Sequence, residues 1–342
     1  MGFWDFLRRS DTTVGYMTPN VEYVGGPEWV ERVHDLTGTD FRDASAAQLW
    51  RTQPHLRTVV SFLARNVAQL GLHTFERVDE TDRRRDRTSP VAAALQSPDT
   101  NMTGYDLIYA TVGDMALYDT AYWALKYGPA GGFGLRRLPP SWVSEIRDNP
   151  YEVTGYRISR NNQQVTIPAS EVLSFSGYAP TSPDGVSPTI AALKETLAEQ
   201  MEASKFRNQV WKRGGRVSAV VERPAGAPEW SAAAMERFRE DWHAKYTGNG
   251  PRAGGTPILE DGMKLNRIDF SAAEQQFVEG AKLSFSTVAA AFHVNPTMVG
   301  ILDNANYSNV REFRRMLYGD TLGPMLAQIE ARVNTLLLPM LG

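Results

Sequence analysis

The stretch Ser271–Leu338 constrains the fold most, because it holds two strongly apolar helical patterns separated by a short polar segment. The first pattern begins with Ser271 and Glu274, the spacing of a capping box in which each side chain binds a free backbone N–H. Apolar residues then recur at a helical period, at Phe277, Ala281, Phe285, Val288 and Phe292. Pro296 predicts the end of this helix, because the residue before a proline is displaced from the α region.

The second helix is predicted to begin at Val310 and to be long. Its apolar positions are Phe313, Met316, Leu317, Met325, Ile329, Val333 and Leu337. Gly323–Pro324 predicts a kink within it, because proline cannot donate a backbone hydrogen bond. The segment between the helices, Asp303–Asn309, is polar and contains no residue set typical of catalysis. The predicted centre of the chain is therefore helix, polar loop and long kinked helix.

Charge and composition limit the function classes. The net charge is −3, whereas proteins that hold nucleic acid tightly usually carry a basic excess. The chain has no cysteine, which excludes disulfides and thiolate metal sites. No run approaches the ~20 apolar residues that span a bilayer.

Residues 1–43 are interpreted as an N-terminal arm that docks on a neighbour, with a membrane-surface helix as the alternative.

Residues 44–178 predict an α+β domain. Helices are expected at Ala44–Leu70 and Gly104–Leu117, and strands at Leu72–Arg77, Tyr151–Ser159, Gln164–Ile167 and Val172–Ser176. The charge run Asp79–Arg87 could contact DNA phosphates. Its mixed signs favour a solvated loop instead.

A long helix is predicted over Pro188–Arg213, with Ser187 as its N-cap and an end at Gly214–Gly215. About 25 residues at a rise of 1.5 Å span roughly 37 Å, a length that suits a strut between two lobes. The following lobe, Val217–Ile268, is predicted to be small and α/β.

Within that lobe we expect a strand at Val217–Val221 and an amphipathic helix at Trp230–Tyr246. Strands at Ile258–Leu259 and Met263–Ile268 are expected to pair through a hairpin at Asp261–Gly262.

Enzymatic motifs are weak throughout. Gly128–Gly134 is glycine-rich like a phosphate-binding loop, but the chain has no Gly-Lys dipeptide, so a hairpin loop is favoured. The five histidines are scattered without ligand spacing, and no acidic pair lies in a motif for acid–base or two-metal chemistry. We therefore predict no catalytic residue, no metal site and no cofactor.

Several segments in order resemble one family. Phe292–Pro296 (FHVNP), Val299–Gly300, Tyr307–Asn309 (YSN) and a long helix with Pro324 are similar to the signature of HK97-type bacteriophage portal proteins. The resemblance continues upstream at Val91–Thr103, Asp119–Trp123, Leu135–Val143 and Asp184–Pro188. Asn295 stands where the family often has proline, and Asp119–Thr120 replaces Gly-Asn.

The resemblance implies a portal fold of class α+β, with an α/β wing, long stem helices, a small α/β clip lobe and a long kinked helix after a tunnel loop. The implied domains are an arm (1–43), wing (44–187), first stem helix (188–213), clip (214–270), second stem helix (271–292) and tunnel loop with long helix (293–342). The family usually continues into a crown, which we expect to be absent or truncated here because the sequence ends at Gly342.

The function implied by the resemblance is not enzymatic. Such proteins form a ring, typically dodecameric, at a capsid vertex of the virion, after assembly in the host cytoplasm. The ring is the channel for packaging and ejection of double-stranded DNA. The implied partners are other copies of the chain, DNA, the terminase large subunit, a head–tail connector or adaptor, and the major capsid protein.

The resemblance also implies site residues. Those of the tunnel loop are Asn304, Asn306, Tyr307, Ser308 and Asn309. Basic candidates for the stem or tunnel are Lys205, Arg207, Lys212 and Arg213, and candidates for partner binding on the clip are Trp230, Phe238, Trp242 and Tyr246. Two alternatives stay open at this point, a terminase-like DNA-packaging enzyme component and a peripheral membrane ring or channel protein, the latter suggested only by Phe3–Leu7.

Overall fold

The computed structural model describes the residues 44–127, 133–180, 186–212, 219–222, 224, 226, 229–246, 259, 262–267, 271–301 and 307–341. The predicted arm, residues 1–43, lies outside this part of the chain. The chain divides into two compact units, one of residues 1–194 with 286–342 and one of residues 195–285. Both boundaries fall within helices that the sequence predicts as stem helices.

The helices in the first half of the first unit are α1 (Ala46–Thr52), α2 (Pro54–Ala68), α3 (Pro90–Gln96) and α4 (Gly104–Tyr118). The single helix predicted over Ala44–Leu70 is wrong, because Gln53 has extended backbone angles and separates α1 from α2. Its neighbour Pro54 is the cause, since a proline displaces the preceding residue from the helical region.

The strands of this unit are β1 (Thr74–Arg77), β2 (Arg83–Asp86), β3 (Thr120–Tyr127), β4 (Phe133–Leu138), β5 (Val143–Asn149), β6 (Glu152–Arg160), β7 (Gln163–Pro168) and β8 (Val172–Ser176). They form three antiparallel sheets, in the orders β1-β2, β4-β3-β8 and β5-β6-β7. Short 3₁₀ turns at Pro140–Trp142 and Ala169–Glu171 connect the last two sheets.

The predicted solvated loop at Asp79–Arg87 is partly wrong. Arg83–Asp86 is strand β2, and it pairs with β1 in an exposed hairpin. Asp79 closes the turn by accepting hydrogen bonds from the backbone N–H groups of Thr81 (2.6 Å) and Asp82 (2.7 Å). The local charge pattern predicts exposure, but it carries no signal for the cross-strand pairing.

The core of the first unit lies between β3, β8 and the helices α2 and α4, which pack on each other. Trp123 is fully buried and contacts Phe175 edge to face, with ring centroids 4.8 Å apart. Its indole N–H donates to Thr111 Oγ1 (2.8 Å), and the Thr111 hydroxyl donates to the Leu107 carbonyl (2.7 Å). This chain of bonds satisfies the polar atoms that burial would otherwise leave unpaired.

The long C-terminal helix is interrupted twice. It comprises α8 (Tyr307–Met316), a π-helical segment (Leu317–Leu322), α9 (Gly323–Arg332), a second π-helical segment (Val333–Leu337) and α10 (Leu338–Leu341). The first π-helical segment ends two residues before Pro324, next to the predicted position of the kink, and a proline cannot donate the backbone hydrogen bond of a regular helix. The second π-helical segment likewise ends two residues before a proline, Pro339.

The helices and strands at and beyond the boundary of the second unit are α5 (Thr189–Lys212), β9 (Ala219–Glu222), α6 (Ala232–Tyr246), β10 (Lys264–Arg267) and α7 (Ser271–Ala291). Within this unit the Ser284 hydroxyl donates to Gln200 Oε1 (3.1 Å), which joins α7 to α5.

The hairpin predicted at Asp261–Gly262 is wrong. β10 pairs antiparallel with β9, and Leu265 lies opposite Val221. Gly262 has a positive φ of 70°, which fits the glycine of a turn, but Leu259 is not in a strand. The partner of β10 is therefore β9, which is distant in the sequence, and not the adjacent segment that the Asp261-Gly262 dipeptide predicted. No helix in the described ranges is both long and apolar enough to span a membrane.

Candidate functional site

The end of α7 is built by a left-handed turn. His293 has a φ of 56°, and the N–H of Val294 donates to the Ala289 carbonyl (2.9 Å). The Asn295 side chain then accepts from the N–H of Thr297 (3.0 Å) and caps the 3₁₀ turn Pro296–Val299. Asn295 therefore has a local role at the position where the family often has proline.

The long helix after the polar segment is anchored to the body of the first unit. Gln328 Nε2 donates to the Ser176 carbonyl (3.0 Å) on β8, and Arg332 Nη2 contacts the Ser176 hydroxyl (3.4 Å). The Thr321 hydroxyl donates to the His293 carbonyl (2.6 Å). These bonds, with the buried side chains Leu322, Ile329, Val333 and Leu337, fix the helix and so the position from which the polar segment departs.

The predicted tunnel-loop residues fall in two places. Asn304 and Asn306 lie outside the described residues, whereas Tyr307, Ser308 and Asn309 form the start of α8. The prediction that the loop extends to Asn309 is therefore wrong. The residues Tyr307, Ser308 and Asn309 include no proline or glycine, so their propensities permit the earlier start.

Sequence reasoning missed three basic residues close to this segment. Arg311, Arg314 and Arg315 lie on α8 and are exposed. Their i, i+3, i+4 spacing places them on one side of the helix, and this spacing is the signal that identifies them. They are cations that immediately follow the polar segment.

The predicted basic residues of the stem are less uniform. Lys205 on α5 donates to Glu202 Oε1 (2.7 Å), one turn away on the same helix. Arg207 is half-buried. The Lys212 side chain and Arg213 lie outside the described part of the chain. The structure therefore does not bring these four residues together into one described site.

Three of the four predicted clip residues form a row. The Trp230 and Phe238 rings have centroids 4.9 Å apart, and those of Phe238 and Trp242 are 5.7 Å apart. All three are half-buried in this chain. The i, i+4 spacing of Phe238 and Trp242 on α6 explains their contact. The side chain of Tyr246, the fourth residue, lies outside the described residues.

In the described part of the first unit, the carboxylates of Asp99 and Asp114 are almost fully buried, and each is paired. Arg137 donates two hydrogen bonds of 2.6 Å to Asp114. Burial raises the pKa of Asp114, and the bonds from Arg137 oppose that rise.

The second buried carboxylate, Asp99, accepts from Lys126 Nζ (2.9 Å), from the Thr100 N–H (2.8 Å) and from Arg136. Burial favours its neutral form, but these contacts outweigh burial and lower the pKa of Asp99. Both carboxylates thus join strands to helices and turns.

Of the glycine-rich segment Gly128–Gly134, residues 128–132 lie outside the described residues. The strands on either side of it pair, with Tyr127 at the end of β3 opposite Phe133 at the start of β4, which favours the predicted hairpin over a phosphate-binding loop. Among the described residues, no group of three or more His, Cys, Asp or Glu could hold a metal ion.

Comparison with known proteins places the chain in a family. A family model of phage portal proteins matches residues 54–342. The portal protein of Enterobacteria phage HK97 is 23% identical over 345 residues, which cover 99% of this chain and 78% of that protein. The chain spans 64% of the length of two uncharacterised Rickettsia proteins, from R. bellii and R. felis, that it also matches.

Two solved structures have the same fold. An HK97-family phage portal protein from Corynebacterium diphtheriae is 19% identical, with a TM-score of 0.60 over 84% of this chain and 88% of that one. A chain in the neck of a native gene transfer agent particle, computed with C12 symmetry, is 19% identical, with a TM-score of 0.61 over 84% of this chain and 79% of that one. The fold, the ordered motifs and the match over residues 54–342 agree, and the chain belongs to the phage portal protein family.

Proposed function

We propose that twelve copies of this chain form a ring at one vertex of a capsid, and that double-stranded DNA passes through its centre during packaging and ejection. The observation that carries this proposal is the family match over residues 54–342 together with a portal fold. The number twelve is supported by the C12 symmetry stated for the similar neck structure. The ring is then a component of the virion, assembled in the host cytoplasm.

The charge of the chain suits a channel that confines DNA without holding it. The net charge is −3, and a strongly basic channel would bind phosphates and slow translocation. In the proposed ring, the polar residues from Asp303 onward face the DNA, where short amide side chains make weak, exchangeable phosphate contacts. The exposed Arg311, Arg314 and Arg315 are the described cations that follow it most closely in the sequence, and in the proposed ring they add a positive band beside that segment.

The second unit is proposed to be the stem and clip. Helices α5 and α7 correspond to the two stem helices, and the row of Trp230, Phe238 and Trp242 is the proposed surface for partners. Aromatic side chains are the most frequent anchors of protein interfaces. The proposed partners are the terminase large subunit and a head–tail connector, while the wing contacts the major capsid protein.

Negative-stain microscopy of the purified chain tests the ring directly. We expect ring-shaped particles with a central hole, and a sedimentation species many times heavier than the 38.0 kDa chain. The portal family is structural, so we also expect no nucleotide hydrolysis by the isolated chain. A purely monomeric protein at all concentrations and salts contradicts the ring, and a protein-dependent ATPase rate contradicts the non-enzymatic role.

A further inference from the structure

The register of the β1–β2 hairpin separates charges that are mixed in the sequence. Phe75 lies opposite Arg85, and Arg77 lies opposite Arg83. Alternate residues of a strand point to opposite faces of a sheet. The hairpin therefore has one face, hereafter the arginine face, with Phe75, Arg77, Arg83 and Arg85. This face carries three guanidinium groups and no carboxylate from either strand.

The opposite face of the hairpin has a different charge. Glu76 lies opposite Arg84, and Thr74 lies opposite Asp86. The one cation that the two strands contribute to this face, Arg84, therefore lies opposite a carboxylate and shares its face with a second. Asp86 is also engaged by the turn into α3, where it accepts from the N–H groups of Thr88 (2.9 Å) and Ser89 (3.1 Å). A hydrogen bond from the Ser89 side chain, together with these backbone bonds, lowers the pKa of Asp86 to about 2.

The arginine face is exposed and holds free hydrogen-bond donors. Arg77 uses Nε to donate to the Asp79 carbonyl (3.3 Å), and Arg85 uses Nη2 to donate to His73 Nδ1 (3.0 Å). A guanidinium has five N–H donors, so both keep most of theirs. Like charges directly opposite each other, as at Arg77 and Arg83, destabilise a sheet, and an anion bound between them would remove that cost.

An aromatic ring lies among these cations. Phe75 is 54% exposed, although burial of its ring would stabilise the folded state more. At the base of the hairpin a cleft of about 660 Å³ is lined in part by His73, Arg85, Arg87 and Tyr105, and also by one carboxylate, that of Asp86; Tyr105 is 45% exposed. Cations and exposed rings thus continue from the arginine face into a cleft.

From this geometry we propose that the arginine face and the adjoining cleft bind single-stranded nucleic acid, with phosphates on Arg77, Arg83 and Arg85 and a base stacked on Phe75. Arginine binds phosphate in a bidentate manner. Neighbouring side chains on one face of a strand are about 6.7 Å apart, so each of Arg83 and Arg85 can take a separate phosphate. This binding surface is additional to the proposed channel and uses none of its residues.

The exposed rings favour a single strand over the other polyanions. Unpaired bases stack on aromatic side chains, whereas a duplex keeps its bases stacked internally. An acidic protein surface would use the arginines but would not require Phe75 to be aromatic. The identity of residue 75 therefore distinguishes a single strand from a duplex and from an acidic protein surface.

The test is fluorescence anisotropy of the purified full-length chain with a labelled oligothymidylate of 20 nucleotides, at several salt concentrations. The variant Arg83→Gln/Arg85→Gln is expected to bind at least about tenfold more weakly, and to lower the log–log salt slope by roughly 1.4 because each phosphate contact of a single strand contributes about 0.7. Phe75→Leu is expected to bind roughly tenfold more weakly with an unchanged slope.

Arg84→Gln is the control, because it removes one positive charge from the same strand but on the opposite face. It is expected to bind within about twofold of the parent. This change is easily distinguished from the loss of at least about tenfold that is expected for the double variant. A loss for Arg84→Gln that is as large, per charge removed, as the loss for Arg83→Gln/Arg85→Gln overturns the proposal, as does a parent chain that does not bind the oligonucleotide.

Two competitors separate the partners. Binding to a duplex of the same sequence as tightly as to the single strand, with no effect of Phe75→Leu, overturns the proposal in favour of duplex DNA. Displacement by polyglutamate at equal charge, again without an effect of Phe75→Leu, overturns it in favour of an acidic protein. Because microscopy tests the ring, a negative result here leaves the proposed portal function standing.

Discussion

Arg137 on β4 donates two parallel hydrogen bonds of 2.6 Å, Nε to Oδ2 and Nη2 to Oδ1, to the Asp114 carboxylate on α4. The Asp114 side chain is only 4% exposed, whereas that of Arg137 is 31% exposed. The pair therefore joins a sheet to the helix packed beside it, with its acid inside the protein and its base reaching toward water.

Replacing Arg137 alone should destabilise the fold. Arg137→Met leaves a buried carboxylate without its cation, and we expect a loss of about 3 kcal/mol in the free energy of unfolding at pH 7. The double variant Asp114→Leu/Arg137→Met should recover most of it, because no charge remains buried. Urea titrations of both variants measure the difference, and an equally unstable double variant would show that the pair contributes through shape and not charge.

The same variant should depend on pH in a defined direction. Burial raises the pKa of Asp114, so the folded state disfavours the charged carboxylate. The cost of Arg137→Met should be small below the unfolded pKa of about 3.8 and grow as the pH rises through the folded pKa. Unfolding midpoints of the parent and of Arg137→Met between pH 3 and pH 8 follow this change.

Asp99 should show the opposite dependence. Its folded pKa is lowered below the ordinary value of 3.8 by Lys126, Thr100 and Arg136, so its contribution to stability is present above that value and is lost as the pH falls through the folded pKa. Asp99→Asn should be less stable than the parent at pH 7, and the difference should shrink toward pH 3. Asp148→Asn, at an exposed position, is the control and should change stability little at either pH.

Gly177 cannot accept a side chain while Asp119 is present. An added Cβ would lie 1.8 Å from Asp119 Oδ1. Asp119 itself has a left-handed φ of 57°, and its Oδ2 accepts from the Ser187 N–H (2.9 Å). Gly177→Ala should lower stability by about 1–3 kcal/mol.

Asp119→Gly should rescue Gly177→Ala in part. It removes the clashing carboxylate and places a residue that tolerates positive φ at position 119, which is also the residue common in the family. Thermal unfolding of the two single variants and the double variant measures the coupling between the sites. Additive losses would mean that Gly177 is required for another reason.

The polar segment is the site of a functional prediction. In the proposed ring, Asn304→Lys adds one positive charge per subunit around the channel, and each added phosphate contact steepens the salt dependence by roughly 0.9 in log–log slope. DNA packaging should slow, most at low salt. Asn101→Lys, at an exposed position of the first unit, should package like the parent.

Joint replacement of Asn304, Asn306, Tyr307 and Asn309 by alanine is expected to preserve rings but to impair packaging or DNA retention. Rings are checked by microscopy, and packaging by protection of DNA from nuclease. Normal packaging by both this variant and Asn304→Lys would show that the segment does not face DNA.

The row of Trp230, Phe238 and Trp242 yields a binding prediction. Trp242→Ala removes a large apolar surface, and we expect it to weaken binding of the connector or the packaging ATPase at least about tenfold if the row is a hot spot. Rings should still form. Arg239→Ala, which lies on the same helix and is more than half exposed at its side chain, is the control. Undiminished binding by Trp242→Ala would place the partner elsewhere.

Much of the architecture could be predicted because its signals are local. The strand Val172–Ser176 has the predicted bounds, and the helix at Gly104 begins where Thr103 caps it. The ending of α7 before Pro296 and the portal family itself were also predicted correctly. Caps, prolines and alternating patterns act within a few residues of the chain, so the sequence alone determines them, as it determines a family signature spread over ordered motifs.

Pairings between distant segments were decided only by the tertiary structure. Lys264–Arg267 pairs with Ala219–Glu222 and not with its sequence neighbour, and the charge run becomes a hairpin because Arg83–Asp86 finds Thr74–Arg77. The Asp114–Arg137 bond likewise joins residues whose types give no sign of each other. Such contacts depend on which surfaces folding brings together, and their energy comes from burial and cross-strand neighbours. The arginine face exists for the same reason, since only the register sorts its charges to one side.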